Sequence, residues 1–216
     1  MRTHLFIIQI IILFFCLTQV GLTQVTSDQL MEAISKKNTD EVKKMLQNGV
    51  DVNELTKVGA TPLIHATWGK DITIVKLLVE NGADINLNTE SFGCALNVAT
   101  SVGEREITKY LLENGANPNC QDKEGKTPLM SAIYDSHPEL VKILINAGTD
   151  VNLKGDSDWT ALMFAAMRGD LESVKSLIDA KANVNSKTKD GETPLQRATA
   201  LEYDEIIEVL KNAGAE

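Results

Sequence analysis

A strict period of 33 residues constrains this chain more than any other feature: Asn53, Asn86, Asn119, Asn152 and Asn185 recur at that interval, as do Leu30, Leu63, Leu96, Leu129, Leu162 and Leu195. No insertion breaks the period from Leu30 onward. Such a spacing suits a turn followed by two short helices, stacked unit upon unit, and not a domain closed around one core. Aromatic residues are few, so many small contacts between neighbouring units must supply the stability.

The stretch QDKEGKTPLMSAIYDSHPELVKILINAGTDVN, beginning at Gln121, shows how one unit works. Asp122 to Gly125 is turn chemistry. Thr127 caps a helix and Pro128 occupies its first turn, where a missing N–H is harmless. Leu129, Ala132 and Ile133 share one face of that helix, and the alanine leaves room for a close neighbour. A second helix starts near Pro138, buries Leu140, Val141, Leu144 and Ile145, and ends at Gly148, a left-handed closing position.

These units resemble ankyrin repeats over nearly all of Ser27 to Glu216. Thr61-Pro62-Leu63, Thr127-Pro128-Leu129 and Thr193-Pro194-Leu195 match that family's helix start. Asn81-Gly82-Ala83-Asp84-Ile85-Asn86 and Asn114-Gly115-Ala116-Asn117-Pro118-Asn119 match its second-helix ending. The resemblance implies an all-α repeat solenoid of helix-turn-helix units joined by β-turn or hairpin loops, about six units with the caps. Several positions depart from the family pattern. The His that often follows Thr-Pro-Leu is replaced by Ile64, Asn97, Met130, Met163 and Gln196, with loss of a hydrogen bond that ties turn to helix. Cys94-Ala95 and Thr160-Ala161 lack the proline. Lys181 stands where other units place Gly, at a cost of about 1 kcal/mol if it keeps the left-handed conformation.

The period divides the chain into a capping repeat at 27–53, repeats at 54–86, 87–119, 120–152 and 153–185, and a second cap at 186–216. The first unit reads as a cap because Glu41 and Lys44 stand where other units carry residues such as Ile74 and Leu77. The last one has a polar first helix, with Gln196, Arg197 and Glu202. Ser173 and Ser176 occupy the same two positions as Glu41 and Lys44, so the seam between the units ending at Asn152 and Asn185 is expected to be the weakest internal one.

Residues 1–23 differ from the rest: one Arg at position 2, an apolar run from Leu5 to Leu17 broken by Gln9, then small and polar residues. This reads as a secretory signal peptide cleaved after Thr23, followed by a short linker at 24–26, and so as a secreted or periplasmic protein. An uncleaved membrane anchor and lipidation at Cys16 stay open as alternatives. The formal charge of −9 becomes −10 once Arg2 leaves with the leader. So acidic a chain disfavours nucleic acid and anionic membrane as partners of the array. The cysteines left, Cys94 and Cys120, open a first helix and a following turn, a separation the sequence does not fix; two free, partly buried thiols are expected.

Catalytic signatures are missing. His65 and His137 lie on different units, and no P-loop, His-Glu-x-x-His or Gly-x-Ser-x-Gly stretch occurs. His137 matches a position where the family often has a structural His, and His65 reads as a packed residue. No cofactor, metal or reaction is implied. Lys43, Lys76, Lys109, Lys142 and Lys175 form a ladder read as a solvated outer face, paired locally with Glu80, Glu113 and Asp179 four residues on.

Ankyrin-like arrays bind proteins through turn tips and exposed first-helix positions lining a concave face. Carried over position by position, that implies Trp68, Val102, Tyr134, Asp135, Trp159, Met167, Arg168 and Leu201 as partner-binding residues. Aromatic residues and Arg dominate interface energetics. Trp68 or Trp159 could instead shield a seam between units. The expected function is a monomeric, non-catalytic protein-binding module. The alternatives are an accessory or inhibitory protein of an exported enzyme, for example in oxidative-stress defence, or a structural spacer.

Overall fold

The computed structural model describes residues 26–216; the leader, its cleavage site and Cys16 lie outside them. Twelve α-helices follow one another as six pairs among these residues. They are α1 (Ser27–Ser35) with α2 (Thr39–Gln47), α3 (Pro62–Trp68) with α4 (Ile72–Glu80), and α5 (Ala95–Ser101) with α6 (Arg105–Glu113). Then come α7 (Pro128–Tyr134) with α8 (Pro138–Asn146), α9 (Ala161–Arg168) with α10 (Leu171–Asp179), and α11 (Pro194–Ala200) with α12 (Asp204–Asn212). No helix among the described residues is long and apolar enough to cross a membrane.

Local chemistry sets the helix ends. Thr61, Thr127, Thr160 and Thr193 each accept a hydrogen bond from the backbone three residues on, and Pro62, Pro128 and Pro194 open their helices. Lys37, Lys70, Gly103, Ser136, Gly169 and Glu202, again at the 33-residue interval, all turn left-handed between the helices of a pair. Lys181 takes φ 69° as its position demands.

Packing follows from the periodic residues. Ala66, Ala99, Ala132, Ala165 and Ala198 are fully buried on the first helices, where the small side chain lets neighbours approach. The first helices pack more closely on one another than the second helices do. The recurring Asn, read from sequence as a helix-ending signal, does more than end a helix. Asn86 donates from Nδ2 to Gly115 O at 3.0 Å and accepts from Asn117 N at 2.7 Å, so it clamps its unit to the next one. Asn53, Asn152 and Asn185 repeat both bonds.

Two expectations need correction. Cys94 and Cys120 are joined in a disulfide, with Cα atoms 6.5 Å apart. The turn after α6 brings Cys120 back against the start of α5, a proximity no spacing rule discloses. The lysine ladder does not pair four residues on: Lys76 meets Glu106 at 3.5 Å and Lys142 meets Glu172 at 2.6 Å, both in the following unit. At the seam expected to be the weakest, the buried Ser173 hydroxyl donates to Asp170, the cap of its own helix. Lys142–Glu172 and a bond from Asp156 N to Glu124 O at 3.0 Å also cross that seam. There Gly125 lies so close to the backbone of Gly155 that a Cβ would meet its Cα at 2.9 Å.

A candidate partner-binding cleft

One position of the first helix explains a concavity on the first-helix row. Trp68, Ser101 and Tyr134 occupy it in three successive units, each as the last residue of α3, α5 or α7. A small residue between two large ones leaves a gap. The gap is a cleft of about 290 Å³, bounded by Trp68, Phe92, Val98, Val102, Tyr134 and Asp135, among others. Trp68 and Tyr134 are 53% and 41% exposed, unusual for side chains of their size.

The walls are held in place. Phe92 packs on Trp68 with ring centroids 5.3 Å apart. Ser101 donates to Asp135 Oδ2 at 2.6 Å across the floor. Asn97, buried beside the disulfide, donates to Lys126 O at 2.9 Å and accepts from Cys94 N at 3.3 Å. One of the positions that lost the family His thus still ties its helix to a turn. Gly103 lies against the His137 imidazole, whose Nε2 is 3.0 Å from Ser101 O.

Charges near the mouth are partly spent. Lys126 lies 5.0 Å from the Tyr134 ring and pairs with Glu124 at 2.7 Å. That hydrogen bond holds the Lys126 ammonium above its ordinary range and the Glu124 carboxyl below its own. Lys70 donates to Val102 O at 2.9 Å and pairs with Glu104 at 3.1 Å. Arg168 lies 5.6 Å from the Tyr134 ring and donates to Ser136.

The cleft brings together four of the eight residues singled out in the sequence: Trp68, Val102, Tyr134 and Asp135. Arg168 adjoins through Tyr134. Met167 is half-buried and Leu201 is exposed, and neither lines the cleft. Trp159 is half-buried between Phe164, 4.9 Å away by ring centroids, and the Arg197 guanidinium at 4.7 Å, where it covers a seam. The sequence reading missed Phe92 and Asn97. Phe92 left a trace: it stands at a turn tip where Gly59, Gly125 and Gly191 occupy the same register.

Elsewhere, His65 accepts or donates at 2.8 Å to Ser35, and burial pushes its pKa down. Among the described residues no group of three or more His, Cys, Asp or Glu side chains is placed to hold a metal.

Periodic helix pairs, without strands among the described residues, define an all-α repeat solenoid. Residues 4–89, 88–155 and 139–216 match the family described as ankyrin repeats (3 copies), and the chain belongs to the ankyrin-repeat family. No curated protein matches it. Ankyrin repeats are generally protein-interaction modules and typically non-catalytic.

Proposed function

We propose that this chain is an exported, monomeric, non-catalytic module that binds a protein partner through the cleft between Trp68 and Tyr134. The observation that carries the reading is the pair of large exposed aromatic residues facing one gap. Exposed aromatic area beside a concavity is where interface energy concentrates, because these rings bury much surface for few rotatable bonds. Val102 and Asp135 extend the contact, and Arg168, Met167, Trp159 and Leu201 form its outer margin along the same row. The Cys94–Cys120 bond supports export, since disulfides persist in oxidising compartments.

The test is affinity capture from the extracytoplasmic fraction of the source cells, comparing the protein with a Trp68→Ala, Tyr134→Ala variant of unchanged helical content. One protein retained by the first and lost by the second is the expected outcome. Equal retention by both removes the cleft from the interaction, and retention by neither leaves the chain a spacer. N-terminal sequencing of the exported protein should begin at Gln24.

A further inference from the structure

The cleft's size and charge specify what fits it. Its volume of about 290 Å³, at the lower edge of the roughly 300–1,000 Å³ of small-molecule pockets, suits one bulky side chain. Its walls are aromatic and aliphatic: Trp68, Phe92, Val98, Val102 and Tyr134. At the rim, the two nearby lysines are already engaged, Lys126 by Glu124 and Lys70 by Glu104. Asp135 pairs with no cation among the described residues; its only side-chain bond there is from the Ser101 hydroxyl. Asp122, also at the lining, accepts from the backbone of Glu124 and Lys126 and forms no ion pair among the described residues, although its charge acts on the Lys126 ammonium. Among the lining residues the charge left without an ion-pair partner is therefore negative, with the Arg168 guanidinium outside the lining on the far side of Tyr134, in a chain that is acidic as a whole.

We propose that the cleft receives an extended protein segment in which one aromatic or large aliphatic residue inserts between Trp68 and Tyr134 while an adjacent Lys or Arg meets Asp135. This rests on the binding function proposed above and names the chemistry of its partner. The apolar side chain supplies affinity by displacing water from both rings. The cation supplies selectivity and a faster encounter, as rim charges do.

A phage-displayed library of random dodecapeptides, selected on the full chain, tests it. Selected peptides should pair an aromatic residue, Leu or Met with a Lys or Arg a few positions away. Asp135→Asn should weaken them about fivefold, as expected for an exposed ion pair, and Asp135→Lys should redirect selection to Asp- or Glu-bearing peptides. Ser101→Trp, which fills the gap from its floor, should weaken them about thirtyfold or more. If that variant loses its helical signal, Trp68→Ala with Tyr134→Ala takes its place. Peptides that need the aromatic pair yet carry no cation would overturn the inference and leave the binding module intact. Peptides indifferent to Ser101→Trp would overturn both. A library yielding no enriched sequence would overturn the linear-segment inference alone.

Discussion

Thr108 sits where its counterparts Val75, Val141 and Val174 fill the packed face of their second helices. It is fully buried, and its hydroxyl has no hydrogen-bond partner. Thr67 and Thr100 show the alternative: both are equally buried, but each donates to a carbonyl one turn back, Leu63 O at 2.8 Å and Leu96 O at 3.0 Å. An orphaned buried hydroxyl costs about 1–3 kcal/mol. Valine keeps the β-branch and the helix propensity and supplies the methyl that neighbouring units carry. Thr108→Val should therefore raise stability by about 1–2 kcal/mol, which for an array of this length moves the midpoint by roughly 2–4 °C per kcal/mol. Urea unfolding followed by circular dichroism should show a higher midpoint at unchanged slope. Thr100→Val, which discards a satisfied O–H shared between the Leu96 and Asn97 carbonyls, should show no gain. Thr108→Ala should fall about 2 kcal/mol below the valine variant through lost methyl burial. An unchanged or lowered midpoint for Thr108→Val would mean that the hydroxyl is bonded in solution, and the reasoning would fail.

Three further perturbations address the seams. The disulfide closes a loop with a sequence separation of 26, so replacing Cys94 and Cys120 by Ala should cost about 3.5 kcal/mol on the chain-entropy relation, read by thermal melts with and without reductant. Melts that coincide in all four samples would contradict this. Asn86→Ala removes two bonds to the next unit and should cost about 1–2 kcal/mol, with faster amide exchange around Asn117 than around Asn53. His65 has its pKa depressed by burial, so the unfolded chain takes up the proton first as acidity rises. Stability should be full above the unfolded value of about 6.5 and decline as pH falls below it. His65→Gln should remove that part of the pH dependence, and identical curves would refute the assignment.

The fold was legible because repetition multiplies weak local signals. One Thr-Pro-Leu or one closing Asn proves little, but a shared register across six units leaves only one way to stack them. What stayed hidden depended on contacts between units, which a linear period does not display. The Asn clamp, the Lys-to-Glu pairs reaching the next unit and the Cys94–Cys120 bond all join residues roughly one repeat apart. The position of the cleft was half visible. Trp68 and Tyr134 stood out by type, but the residue that opens the gap is Ser101, conspicuous only when three successive units are aligned at that position. Trp159 was legible only as an alternative, a contact residue or a seam cover, and it stands half-buried with Phe164 and Arg197 against its ring.

Site-specific photocrosslinking in the source cells tests the cleft most directly. A benzophenone amino acid at position 102, at the cleft wall, is compared with the same group at position 175, exposed on a second helix. Binding through the cleft requires one discrete covalent adduct from position 102 and none from position 175. An adduct only from position 175, or the same adduct from both, would contradict it.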